Sequence, residues 1–165
     1  MNHLRDVCGV ATTVIALSAT APSAVAQENT YTLTCQLVGG GAPEPVGDRE
    51  GHSISVEEDS CRVDSGPLSG GVLTGSAIWE WNGSNAVLLS ANGVVRKPGA
   101  TVVHQGTEGK LALSMADGKV TGATGSGKGV NLMATGSAAS LAGKPYTYKA
   151  KTTGPGQFTI EGKTE

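Results

Sequence analysis

Aromatic side chains and charge are both scarce in this 165-residue chain. Two Trp, three Tyr and one Phe make up 4% of it, and Asp, Glu, Lys and Arg together only 16%. So few aromatics cannot supply the two girdles of a membrane-spanning barrel. The bases are spread singly over many segments, without the clustering among aromatics that nucleic-acid grooves need, so no nucleic-acid partner is expected. Long apolar runs are missing too. The stretch from Val7 to Ala19 is too short to cross a bilayer as a helix, so no span is expected in the mature chain. The chain also lacks a Gly-x-Ser-x-Gly elbow and any close Cys/His spacing, which removes the usual marks of a serine hydrolase and of a zinc site. No metal and no cofactor is expected.

What is present begins with residues 1–26. Arg5 supplies a basic start, the Val7–Ala19 run follows, then Pro22, then the small residues of Ala24-Val25-Ala26. That layout is a secretory signal cut after Ala26, leaving residues 27–165 as a single exported domain, periplasmic or extracellular. Two cysteines would survive cleavage, Cys35 and Cys61. In an oxidising compartment an even pair is read as a disulfide. Charge is unevenly divided: residues 28–80 carry nine acids against Arg49 and Arg62, and residues 81–165 nine bases against four acids. The complementary halves could drive self-association into a homo-oligomer, or scattered lysines could simply guard strand edges.

Period-two alternation dominates the mature chain. Tyr31, Leu33, Cys35 and Leu37 share one face of the first strand. Ile54 and Val56 stand as the apolar face against Ser53, Ser55 and Glu57. Ala77, Trp79 and Trp81 oppose Ser76, Ile78 and Glu80, and Leu111, Leu113 and Met115 form another such face. Tyr146, Tyr148 and Ala150 form the next, and Phe158 with Ile160 the last. Alternation of this kind marks antiparallel strands with one buried side. Asn82-Gly83, Asn92-Gly93 and Asp117-Gly118 signal tight hairpins, and Pro98-Gly99 and Gly154-Pro155-Gly156 further reversals. One short helical turn is expected near Ala138 to Leu141. The expected fold is all-β: a small antiparallel meandering barrel, or alternatively a two-sheet sandwich.

Gly122-Ala123-Thr124-Gly125-Ser126-Gly127-Lys128 matches most of a phosphate-binding loop, but Gly129 stands where a hydroxyl should meet magnesium and no helix follows. A glycine-rich turn between Val120 and Val130 is the preferred reading. The segment Asp117 to Gly129 (DGKVTGATGSGKG) resembles the glycine-rich strands of small exported barrels such as dirigent proteins and allene oxide cyclases. That resemblance implies a small antiparallel barrel and carries no site residues with it.

Candidate site residues are few. Trp79 and Trp81, and likewise Tyr146 and Tyr148, are spaced to share a strand face, as an aromatic ligand platform or as plain core. Acid–base chemistry would draw on His104 and Glu108, four residues apart near a strand end, with His52, Glu80 and Asp117 as the remaining candidates; each histidine is otherwise expected on the surface. The leading expectation is a non-enzymatic barrel that binds an unidentified small molecule or envelope protein. Its rivals are a cyclase- or isomerase-like enzyme enclosing an apolar substrate, and a self-associating envelope protein.

Overall fold

The computed structural model describes residues 29–165, so the signal segment expected at 1–26 lies outside the described residues. Nine strands follow in chain order: β1 (Thr30–Gly40), β2 (Glu44–Pro45), β3 (His52–Ser65), β4 (Val72–Asn82), β5 (Asn85–Lys97), β6 (Ala100–Ala116), β7 (Lys119–Gly136), β8 (Pro145–Gly154) and β9 (Gln157–Thr164). From β3 onward each strand pairs antiparallel with the next, β9 pairs with β1, and β1 closes onto β3. The architecture is therefore a closed eight-stranded meander, not a sandwich, with β2 added beside Ser53 and Ile54 of β3. A barrel of eight strands has an interior just wide enough to be filled by side chains or to hold one small ligand.

Two hairpins form where the dipeptides predict them. Gly83 has φ 61° between β4 and β5, and Asp117 and Gly118 have φ 50° and 72° between β6 and β7, the positive values a two-residue turn demands. Asn92-Gly93 is a correction. It lies inside β5, where Gly93 pairs with Gly75 on one side and His104 on the other. The glycine serves a side chain and not a turn: a Cβ there would stand 2.5 Å from His104 Nε2.

The residues 120–130 are a second correction. They form no turn but the middle of the long strand β7. Alternate glycines 125, 127 and 129 face inward, and large side chains lie over them. A Cβ on Gly127 would stand 2.6 Å from the Tyr148 hydroxyl, and one on Gly129 would overlap the Tyr146 ring. Gly162 of β9 seats Tyr31 in the same way, and Gly109 of β6 seats both Trp79 and Tyr148. Glycine in a strand interior marks close approach of another group. Here the group is Leu111 over Gly125 and the outer end of an aromatic side chain over Gly109, Gly127, Gly129 and Gly162.

On β3 the expected facing is reversed. Ile54 and Val56 point outward, 36% and 49% exposed, while Ser55, Glu57, Asp59, Cys61 and Val63 face the interior. The reason is the disulfide. Cys35 pairs directly with Cys61 in the β1–β3 register and is bonded to it, so odd-numbered residues of β3 must point inward. Closing a loop of 26 residues, the bridge contributes roughly 3 kcal/mol on chain-entropy grounds. It lies within the larger core, with Leu33, Val63, Leu73, Val95 and Val102. That core fills the end of the barrel where β1 begins. The short 3-10 turn Ala139–Leu141 caps this end by burying Ala138 and Leu141. A second, smaller cluster, of Trp79, Trp81 and Ala86, holds the wall made by β4 and β5 near the opposite end.

Candidate functional site

Between the two clusters the barrel encloses a cavity of about 520 Å³. That volume falls in the roughly 300–1,000 Å³ range of small-molecule sites. Its wall is mostly apolar, from Leu33 and Val102 at the closed end to Leu111, Leu113 and Val120 toward the mouth. The four aromatics singled out from the sequence, Trp79, Trp81, Tyr146 and Tyr148, all line it. Tyr31, Glu57, Asp59, His104 and Asn131 line it as well.

Register explains why these polar groups meet. Asp59, Gly75, Gly93 and His104 are consecutive partners across β3, β4, β5 and β6. The two glycines form a bare floor, and the side chains at either end lean over it. A Cβ on Gly75 would stand 3.0 Å from Asp59 Oδ1, just as one on Gly93 would meet His104 Nε2. His104 Nδ1 is hydrogen-bonded to the Tyr146 hydroxyl at 3.1 Å, with the two rings edge to face. Asp59 Oδ2 lies 3.2 Å from Cys61 Sγ. A disulfide sulfur has no hydrogen, so a hydrogen bond there must be donated by the protonated carboxyl. The cysteines are also thereby unable to serve as thiolate ligands with Asp59.

Burial sets the protonation states. Desolvation lowers the pKa of His104 to about 4, so its imidazole is neutral at ordinary pH. Desolvation raises Asp59, against a hydrogen bond from its own backbone. It also raises Glu57, opposed by the nearby Trp79 indole N–H and reinforced by repulsion from Asp59. Tyr31, Tyr146 and Tyr148 are raised, again first by burial. Two buried nitrogens in the chamber, Trp79 Nε1 and His104 Nε2, have no hydrogen-bond partner of normal geometry among the described residues. Such groups are costly in a folded protein unless something in the cavity meets them.

The proposed pairing of His104 with Glu108 does not occur. The ladder slips between Gly106 and Glu108, and this turns Glu108 outward. Its carboxylate lies 2.8 Å from Lys128 Nζ and is 68% exposed. His104 sits mid-strand, inside. His52, also expected at the surface, is buried on the outer wall, where Nδ1 bonds Asp48 and Nε2 stands 2.9 Å from Glu80 Oε1 in contact but not in hydrogen-bond alignment. The hydrogen bond from His52 is also what chiefly lowers the pKa of Asp48. Asp117 occupies the β6–β7 turn. Glu57, Asp59 and Tyr31 were missed as site residues; the parity of Cys61 was the available signal for the two acids.

His104 gives a pH-dependent prediction. Its folded pKa lies below its unfolded value of 6.5, so between pH 6.5 and 4 the unfolded chain binds a proton that the barrel excludes. Stability through this group therefore falls on acidification, by about 2 kcal/mol between pH 7 and 4.5. Glu57 and Asp59 act with the opposite sign, because their folded pKa values are raised. Urea unfolding of the parent and His104→Gln at both pH values isolates the histidine: the parent should lose about 2 kcal/mol more than the variant. Equal losses would show that His104 is not held neutral by burial.

Compared with known proteins, the chain matches no family model and no curated protein sequence. Neither comparison therefore supports the expected resemblance of Asp117–Gly129 to dirigent-like barrels.

Proposed function

We propose that this protein is an exported binding protein that encloses one apolar small molecule inside its barrel without transforming it. The observation that carries this reading is the chamber itself: a cavity of about 520 Å³, lined mainly by apolar side chains, with His104 in its wall keeping a buried ring nitrogen that has no partner among the described residues. Few, convergent polar groups in an apolar hollow are the general form of a ligand site. A buried disulfide suits an oxidising location outside the cytoplasm. An enzyme that encloses its substrate is the second reading, favoured by a neutral imidazole sharing the chamber with two acids. Against it, His104 Nδ1 is hydrogen-bonded to a tyrosine hydroxyl, and among the described residues no carboxylate is hydrogen-bonded to its ring to support a proton taken from substrate.

The test is uptake of the fluorescent apolar probe N-phenyl-1-naphthylamine by the disulfide-bonded mature protein. Saturable enhancement of its emission, with energy transfer from Trp79 and Trp81, is expected. Absence of uptake by a folded sample would defeat the reading. A bound molecule recovered chemically changed would favour the enzyme.

A further inference from the structure

We infer that the ligand this cavity is built for is an apolar amine, its ammonium group seated among Glu57, Asp59 and His104 Nε2. The inference deepens the binding function proposed above and rests on it. Glu57 and Asp59 lie two residues apart on the inner face of β3, and both line the cavity. Neither makes an ion pair among the described residues; the ion pairs there all lie elsewhere. Nor do the described residues place a cation beside them in the chamber. His104 is neutral, Tyr31, Tyr146 and Tyr148 keep their protons, and the one lysine in the lining, Lys151, is exposed on β8 toward the mouth.

Two acids in an apolar hollow are unfavourable unless protonated or paired. Burial drives them toward protonation. An ammonium would supply the missing partner through short, charge-assisted hydrogen bonds. A second, independent feature points the same way. Trp79 is 6% exposed, lines the cavity, and directs an indole N–H that lacks a normal hydrogen bond toward the Glu57 carboxyl. A donor so placed stabilises Glu57 as a carboxylate, the form an ammonium requires. When His104 Nδ1–H donates to Tyr146, Nε2 presents a lone pair over the Gly75–Gly93 floor, toward Asp59. Glu57, Asp59 and Nε2 then make three acceptors for the three donors of a primary ammonium. A carboxylate ligand would instead face two acids and no base.

Calorimetric titration of the mature protein with decylamine, decanol and decanoate at one pH and ionic strength tests the charge preference on a shared chain. Decylamine should bind at least tenfold more tightly than decanol, and decanoate most weakly. Glu57→Gln/Asp59→Asn, checked by its thermal melt to be folded, should lose most of the preference for the amine over the alcohol. Equal affinities, a preference for decanoate, or an unchanged preference in the folded variant would overturn the inference. If N-phenyl-1-naphthylamine enters the barrel while decylamine shows no advantage, only the charge assignment falls. If neither enters, the binding function falls with it. Amine binding without probe uptake would overturn the reading of a chamber for apolar molecules and, with it, the inference as drawn.

Discussion

Trp81→Ala should destabilise the barrel by about 4 kcal/mol, within the range measured for truncating a buried aromatic. Trp81 is 5% exposed and packs with Trp79 and Ala86, with Leu88, Leu111 and Leu113 around them. Its indole N–H donates to Ser55 Oγ at 2.9 Å, so both the ring and its polar handle are satisfied. A chain with two tryptophans and one phenylalanine has little other area with which to refill the space. Trp81→Phe should cost less, about 2 kcal/mol, since it keeps a ring and loses mainly the bond to Ser55. Urea unfolding followed by circular dichroism checks both variants. A midpoint for Trp81→Ala equal to the parent's would mean that the ring only borders the cavity and that the cluster is not a core. The size of the loss therefore decides whether Trp81 or its neighbour Trp79, whose N–H is still unsatisfied, should be varied to probe binding.

The strand pattern was legible because half-buried antiparallel strands alternate, and residues such as Leu33, Cys35, Trp79 and Trp81 keep strict parity. What misled were positions where small or polar residues face inward. Glu57 and Asp59 occupy interior sites that an alternation rule assigns to apolar groups, so the pattern points to Ile54 and Val56 as the buried face. Hydrophobic pattern and disulfide register made opposite demands on β3, and the covalent constraint prevailed. A conflict of that kind is expected where a site replaces core. Gly93 misled in another way. Asn-Gly is a strong turn signal, but a glycine is equally the residue that lets a neighbouring side chain lie over a strand, and sequence alone does not separate the two. The pairing of each inner glycine with one large side chain depends on register across strands far apart in the chain, as Gly162 with Tyr31 or Gly129 with Tyr146. No local window contains both partners.

That pairing makes Gly129→Val the second large expected loss, again about 4 kcal/mol. Gly129 of β7 lies directly between Gly106 of β6 and Tyr146 of β8. A Cβ built there would overlap the Gln105 carbonyl oxygen and the hydroxyl end of Tyr146. The carbonyl belongs to the ladder and cannot yield without breaking strand pairing. Tyr146 could move only by giving up its hydrogen bond to His104 and its place in the chamber wall. Overpacking of this kind costs typically 1–3 kcal/mol, and the lost buried hydrogen bond adds about 1 more. Seven residues earlier on the same strand, Gly122 provides the comparison. A Cβ there meets Thr152 at 3.5 Å, an ordinary contact. Gly122→Ala should be neutral or stabilising by about 0.5 kcal/mol, because alanine narrows the unfolded ensemble. If glycines in β7 mattered only for chain flexibility, the two substitutions would act alike. A large loss at 129 beside none at 122, measured by urea unfolding at one pH, is the signature of a glycine kept for the ring that rests on it.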